Sequence, residues 1–190
     1  MTRIGIIVGS TRPGRRGRAV ADWVATVAAQ ERPEVDVEVV DLADFALPLL
    51  DEEQPAIFGQ YGNAHTLRWA EAVARYDGFV FVTPEYNHSV PAALKNALDF
   101  VYAEWNHKAA GFVGYGLYGG VRAVEHLRLV LAELRVATVR TQVGLSLHDD
   151  FAVPDAFTPG PRQRETLVTL LDDVVAWARA LRTVREGVPA

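Results

Sequence analysis

One stretch of this chain, residues 78–101, constrains the possible folds more than any other. It starts with the sequence FVFV at positions 79–82, an apolar, β-branched and aromatic run that is typical of a buried strand. Thr83 and Pro84 end this strand, because proline has no N–H group to donate to the hydrogen-bond ladder of a central sheet. The sequence therefore predicts a buried strand that stops abruptly at a polar segment.

The second half of the stretch predicts a helix. Ser89 is placed to cap the helix, and Pro91 is tolerated in its first turn. Apolar residues spaced as one buried helical face follow, at Leu94, Ala97, Leu98 and Val101. The polar residues 85–88 then lie between the carboxyl end of a strand and the amino end of a helix, and ligands bind at that position in open parallel sheets.

Strand and helix patterns alternate along the rest of the chain. Further strands are predicted over residues 3–9, 35–42, 109–115 and 137–147, and a helical apolar stripe follows each of the five strands. This alternation predicts an α/β three-layer sandwich, with a five-stranded parallel sheet and helices on both faces. We expect the strand order 2-1-3-4-5 and a ligand across the ends of the first, third and fourth strands.

The length of the chain and the positions of its loops indicate how many domains it forms. The 190 residues are most simply one domain, spanning residues 1–190. Residues 43–62 form a long connection, and residues 149–161 form a second loop that is rich in proline and acids. Gly187 and Pro189 are expected to end the last helix.

Composition excludes several classes of protein. The chain has no cysteine, which excludes disulfides, thiolate metal sites and cysteine nucleophiles. It opens directly into a strand pattern without a signal peptide, and no apolar run approaches the roughly 18 residues of a membrane span. We therefore expect a cytoplasmic protein with no membrane contact. The net charge of −5 disfavours nucleic acid as a partner, and the five histidines lack metal-ligand spacing, so we predict no metal.

A basic loop follows the first strand. It contains Ser10 and four arginines, at positions 12, 15, 16 and 18. A strand–loop–helix order directs free backbone N–H groups and the positive end of a helix dipole at the loop, which favours an anion. Charged hydrogen bonds would add about 1.5–3 kcal/mol each. A phosphate is the expected ligand, and a solvated basic loop is the alternative; the loop matches neither a Walker A motif nor a G-x-G-x-x-G fingerprint.

Two further features have alternative interpretations. Gly116, Gly119 and Gly120 surround the turn after the fourth strand, where glycines let a backbone approach a flat ligand or simply serve turn geometry. Asp41 ends the second strand, where an acid holds a ribose hydroxyl in dinucleotide-binding domains. Without the glycine fingerprint, we interpret Asp41 as a strand-end polar residue.

Three motifs together carry a family resemblance: GSTRPGRRG at residues 9–17, PEYNHSVPAALKNALDF at residues 84–100 and YGLYGGVRA at residues 115–123. In this order they closely resemble the NAD(P)H-dependent FMN reductase family of flavodoxin-like proteins, which includes quinone, azo and chromate reductases. The resemblance covers nearly the whole chain. It implies a flavodoxin-like fold, FMN as cofactor and NAD(P)H as co-substrate.

The resemblance also implies which residues bind FMN. The first loop would hold the phosphate, and the second and third motifs would border the isoalloxazine ring. Arg16 and Arg18 stand where many relatives carry serine and asparagine, so the resemblance leaves open which of the later arginines contact phosphate. No catalytic side chain is assigned, because the flavin carries the chemistry. The implied cofactor-binding residues are Ser10, Arg12, Arg15, Gly17, Arg18, Pro84, Glu85, Tyr86, Asn87, Tyr115 and Gly116.

The function implied by the resemblance is that of an FMN-dependent NAD(P)H oxidoreductase. NAD(P)H would deliver a hydride to flavin N5, and a quinone-like or other small acceptor would then take two electrons at the same place, in a ping-pong sequence. A flavodoxin-type electron carrier without NAD(P)H turnover is the alternative. The choice between NADH and NADPH, and the acceptor itself, stay open.

The family also forms homodimers or homotetramers. Residues 42–53 resemble its segment near the dimer interface, and a tolerated surface loop is the alternative. We expect Tyr102 and Trp105 to be exposed interface candidates.

Overall fold

A computed structural model describes residues 1–151 and 157–187 of the chain. Five parallel strands form one sheet with the order β2-β1-β3-β4-β5, as the sequence predicts. The strands are β1 (Thr2–Val8), β2 (Val35–Asp41), β3 (Gly78–Pro84), β4 (Ala109–Gly116) and β5 (Ala137–Ser146). The helices are α1 (Gly17–Glu31), α2 (Ala64–Ala74), α3 (Ala92–Asp99), α4 (Val121–Glu133) and α5 (Pro161–Gly187).

Helices cover both faces of the sheet. One buried cluster joins the sheet to α1 and α5, and a second cluster on the opposite face joins it to α2, α3 and α4. Every residue of β3 and β4 is buried, because a parallel sheet covered on both sides has no solvent-facing row. Polar groups that serve a ligand are therefore confined to the ends of the central strands.

The entry into α3 differs from the sequence prediction. Ser89 does not cap the helix, which begins at Ala92 after Pro91. Asn87 and His88 both have positive φ, 48° and 73°, and they reverse the chain so that Ser89 pairs with the residue before the turn. Helix α3 also ends at Asp99, although Val101 beyond it is fully buried as expected.

The expectation that Trp105 is an exposed interface residue was wrong. Trp105 is 0% exposed, and its ring packs edge-on against Phe79, 4.9 Å away between centroids, and against Trp69 at 5.9 Å. Tyr102 is half-buried against the same cluster. These aromatic rings are buried by contacts with residues that are distant in the sequence, and the local sequence does not show such contacts.

Two sequence predictions fall partly or wholly outside the described residues: the middle of the loop over residues 149–161, and the helix stop at Pro189. Within the described ranges, none of the helices is long and apolar enough to cross a lipid bilayer.

A charged cluster fixes the amino-terminal edge of the sheet. The Asp77 carboxylate, just before β3, accepts hydrogen bonds from the Arg3 backbone N–H at 2.9 Å, from Arg182 Nε at 3.2 Å and from Arg185 Nη2 at 2.5 Å. Burial by itself would raise the pKa of Asp77, but hydrogen bonds and charges from Arg182, Arg3 and Arg185 outweigh it and hold the pKa below 3.8. Asp77 thereby ties α5 to β1 and β3.

We expect Asp77→Asn to lower the free energy of unfolding by about 2 kcal/mol at neutral pH, because two arginines lose their charged partner. Since the folded pKa of Asp77 is depressed, its contribution is complete above the unfolded pKa and is lost as pH falls through the folded value. The difference between wild type and variant in urea unfolding should therefore shrink below about pH 4.

Asp99→Asn is the matched control, because Asp99 forms an exposed i,i+4 pair with Lys95. We expect it to cost less than about 0.5 kcal/mol. Equal losses from the two variants would contradict the proposed role of Asp77.

Candidate cofactor site

The carboxyl ends of β1, β3 and β4 enclose a cavity of about 570 Å³. This volume lies within the range of roughly 300–1,000 Å³ that is usual for small-molecule sites. Its walls come from all three motifs identified in the sequence. Seven of the predicted site residues line the cavity: Arg12, Arg15, Pro84, Glu85, Tyr86, Tyr115 and Gly116. The other four, Ser10, Gly17, Arg18 and Asn87, are not part of the lining.

Ser10 and Gly17 lie at the two ends of the basic loop. Ser10 is 1% exposed, and its Oγ lies 2.8 Å from the Tyr86 hydroxyl oxygen. A Cβ on Gly17 would come within 2.9 Å of the Tyr115 hydroxyl oxygen and 3.3 Å of Val8 Cγ1, so a side chain there would have to displace Tyr115. Arg16, the residue before α1, makes no side-chain hydrogen bond to the first turn of the helix. The Gly17 N–H donates to the Tyr115 hydroxyl oxygen, and the N–H groups that follow it are directed at the loop, where they suit an anion.

Arg12 and Arg16 both line the cavity and both lie over aromatic rings. The Arg12 guanidinium is 5.9 Å from the centre of the Tyr86 ring, and the Arg16 guanidinium is 4.9 Å from that of Phe151. Neither arginine has a carboxylate partner among the described residues. Their positive charges therefore remain available to a ligand.

Arg15 and Arg18 are already paired with carboxylates. Arg15 Nη2 lies 2.7 Å from Asp41 Oδ2, and the other Asp41 oxygen accepts the Ala43 backbone N–H at 3.0 Å. Asp41 is buried at the end of β2 and anchors Arg15. The two residues are 26 positions apart, and the sequence did not reveal that they pair. Arg18 is largely exposed, pairs with Asp22 at 2.9 Å and lies outside the cavity lining.

The segment after β3 forms a tight two-residue turn. The backbone groups of Tyr86 and Ser89 exchange hydrogen bonds of 2.9 and 3.0 Å, and Asn87 and His88 occupy the left-handed positions between them. Asparagine adopts this conformation more readily than most residues. Asn87 lies at the exposed tip of this turn, outside the lining of the cavity, whereas Tyr86 faces into it.

Glu85 turns its carboxylate towards α4. Its Oε2 accepts the Arg122 backbone N–H at 3.1 Å, and its Oε1 forms an ion pair with the Arg122 guanidinium. Burial alone would raise the pKa of Glu85, whose side chain is 8% exposed, but Arg122 and the N–H groups of Arg122 and Ala123 hold the pKa below 4.5. Glu85 thus caps α4 and borders the cavity at the same time.

The glycines at the end of β4 and in the turn after it have two different roles, turn geometry and cavity lining. Gly119 and Gly120 both have φ of +67°, and a Cβ on Gly120 would lie 2.7 Å from the Tyr115 backbone nitrogen. At these two positions glycine is therefore explained by the geometry of the turn and not by the approach of a ligand. Gly116 lines the cavity beside Tyr115, whose pKa is raised by burial of its hydroxyl.

The arrangement fits a phosphorylated aromatic ligand. Arg12 lines the cavity, and the nearly buried Ser10 hydroxyl and the start of α1 lie beside it; together these groups suit a phosphate. The rings of Tyr86 and Tyr115 line the same cavity next to these groups, and they suit a flat ring system.

Comparison with known proteins gives a family match. The family model described as NADPH-dependent FMN reductase matches residues 2–150. An NAD(P)H-dependent FMN reductase from Schizosaccharomyces pombe is 40% identical over 159 residues, which cover 83% of this chain and 79% of that protein. A 2-hydroxy-1,4-benzoquinone reductase from a Burkholderia species is 29% identical over 188 residues, covering 95% of this chain and 98% of that protein.

Solved structures show the same fold. FerB, a flavoenzyme NAD(P)H:(acceptor) oxidoreductase from Paracoccus denitrificans, superimposes with a TM-score of 0.74 at 20% identity, covering 95% of this chain and 98% of that chain. A flavodoxin from Streptococcus pneumoniae TIGR4 superimposes with a TM-score of 0.54 at 14% identity, covering 92% and 97%.

We expect Glu85→Gln to lower the free energy of unfolding by about 1–2 kcal/mol at neutral pH, because the Arg122 guanidinium loses its charged partner. The depressed pKa of Glu85 makes this contribution complete above about pH 4.5 and lost as pH falls through the folded value. Chemical unfolding at neutral and acid pH measures both effects.

Glu125→Gln is the control, because the exposed Glu125 lies on α4 itself, 3.8 Å from Arg128. A change of less than about 0.5 kcal/mol is expected for it. A Glu85 variant as stable as the Glu125 variant would show that the Glu85 carboxylate does not hold α4.

Proposed function

The chain belongs to the NADPH-dependent FMN reductase family, and from this premise we propose that its FMN lies in the cavity at the carboxyl ends of β1, β3 and β4. The protein is an NAD(P)H-dependent oxidoreductase of the type that includes quinone reductases. The observation that carries the proposal is one cavity that arginines of the basic loop and the rings of Tyr86 and Tyr115 line together.

In this proposal the basic loop holds the phosphate. Ser10 and Arg12 contribute side chains, and Arg18 contributes its backbone N–H group at the start of α1, while Gly17 lets this turn pass close to Tyr115. Arg15 contributes its guanidinium while Asp41 keeps it in place.

The other two motifs border the flavin ring in the proposal. Pro84, Tyr86, Tyr115 and Gly116 form walls of the cavity. Glu85 and Asn87 act through their backbone, since the Glu85 carboxylate is committed to α4 and the Asn87 side chain lies at the tip of the turn.

Bound FMN supplies a ring that accepts a hydride from NAD(P)H and passes two electrons to a small acceptor such as a quinone. The chain's own residues would bind and orient this ring. Leu117 lines the cavity and is largely exposed, which provides an apolar surface for a flat substrate. We propose that donor and acceptor bind in turn at this apolar surface, in a ping-pong sequence.

We further propose that the whole chain of 190 residues acts as one flavin-binding domain and assembles as a homodimer or homotetramer. Exposed apolar side chains in the segment after β2, among them Leu49, Ile57 and Phe58, support self-association. A cytoplasmic location follows in the proposal, since NAD(P)H is available there.

The test is an anaerobic titration. Protein mixed with FMN and freed of excess flavin receives NADPH or NADH, and then a benzoquinone. We expect either nucleotide to bleach the flavin absorbance and the quinone to restore it, with parallel double-reciprocal plots in steady-state assays. Flavin that binds and stays oxidised would instead indicate a flavodoxin-type carrier. Failure to bind flavin would contradict the cavity assignment, and intersecting plots would contradict the ping-pong order alone.

A further inference from the structure

The Ser10 hydroxyl has an unusual set of neighbours for a nearly buried group. Its Oγ lies 2.8 Å from the Tyr86 hydroxyl oxygen, and the Arg12 backbone N–H donates to it over 3.4 Å. A serine hydroxyl has one proton to donate and two lone pairs that accept. The Arg12 N–H can only donate, so one lone pair of Ser10 is already directed at it.

The bond between Ser10 and Tyr86 can be formed in two directions. If Ser10 donates to Tyr86, its only proton is used. If Tyr86 donates to Ser10, both lone pairs of Ser10 accept, and the Ser10 proton is left for another acceptor. Among the described residues no acceptor other than Tyr86 lies within hydrogen-bond distance of Ser10 Oγ. An anion in the cavity would select the second direction, because charge-assisted hydrogen bonds are the stronger ones.

Tyr86 is held in place by groups other than Ser10. Its backbone is fixed by two hydrogen bonds to Ser89 across the tight turn, and its ring lies next to the Arg12 guanidinium. Its hydroxyl therefore reaches the basic loop from a restrained position. The contact joins the loop after β3 to the loop after β1, across 76 residues of sequence.

We propose that Tyr86 is a positioning residue for the cofactor phosphate: by donating to Ser10 Oγ, it directs the single Ser10 proton at a phosphate oxygen. This inference rests on the proposed function, because it needs the phosphate of FMN at the basic loop. It assigns the Tyr86 hydroxyl a task separate from that of the Tyr86 ring, which borders the cavity. The two tasks can be separated by Tyr86→Phe, which keeps the ring and removes the donor.

The experiment compares FMN with riboflavin, which lacks the phosphate. Dissociation constants for the apoprotein are measured from the quenching of flavin fluorescence, for wild type, Tyr86→Phe, Ser10→Ala and the double variant. We expect Tyr86→Phe to weaken FMN binding about fivefold to tenfold, the value of one ordinary hydrogen bond, and to leave riboflavin binding within about twofold. In the Ser10→Ala background, Tyr86→Phe should cause no further loss, since it acts through Ser10.

Tyr118→Phe is the control, because it removes a hydroxyl from a tyrosine that is 71% exposed and does not line the cavity. It should leave both dissociation constants unchanged. Fluorotyrosine at position 86 is a second variant that keeps the shape of the side chain. Its more acidic hydroxyl is a stronger donor, so FMN should bind more tightly than to wild type while riboflavin should not.

Three results would overturn the inference: equal weakening of FMN and riboflavin in Tyr86→Phe, additive losses in the double variant, or an FMN affinity that neither position 86 variant changes. A wild-type protein that binds riboflavin as tightly as FMN would instead contradict the phosphate site of the proposed function. The two failures are therefore distinguishable.

Discussion

Burial of the central strands on both faces is the constraint on which the rest of the structure depends. Every residue of β3 and β4 is buried and none is charged, so the charged groups next to these two strands lie at the edges where the strands begin and end. At the amino edge they are structural: Asp77 binds two arginines, and Lys108, whose pKa burial lowers to about 7, donates to the Val73 carbonyl oxygen at 2.7 Å. The carboxyl edge keeps uncompensated positive charge and forms the cavity.

The architecture and the location of the site could be predicted because both depend on local signals. The apolar run of β3 and the proline that ends it define a buried strand from neighbouring residues alone. Ser10 and Arg12 follow β1 directly, and any loop in that position lies at the carboxyl edge. The order of strands along the chain was therefore enough to predict that the three motifs meet at one cavity, and no tertiary contact had to be known.

The details that the sequence missed depend on partners far away in the chain. Asp41 pairs with Arg15, and Arg122 pairs with Glu85 across 37 positions, so Arg15 is anchored by a distant carboxylate and the Glu85 carboxylate is committed to α4. Ser89 was expected to cap α3, but the left-handed conformations of the two residues before it assign it to the turn. In each case a tertiary interaction outweighs a local preference.

A crystal structure of the protein soaked with FMN tests the central claim most directly. The account predicts a phosphate oxygen within hydrogen-bond distance of Ser10 Oγ and of N–H groups at the start of α1, with the flavin ring beside Tyr86 and Gly116. A flavin whose phosphate lies elsewhere, for example in the cavity between β5 and α5 that Arg162 and Gln163 line, would contradict it.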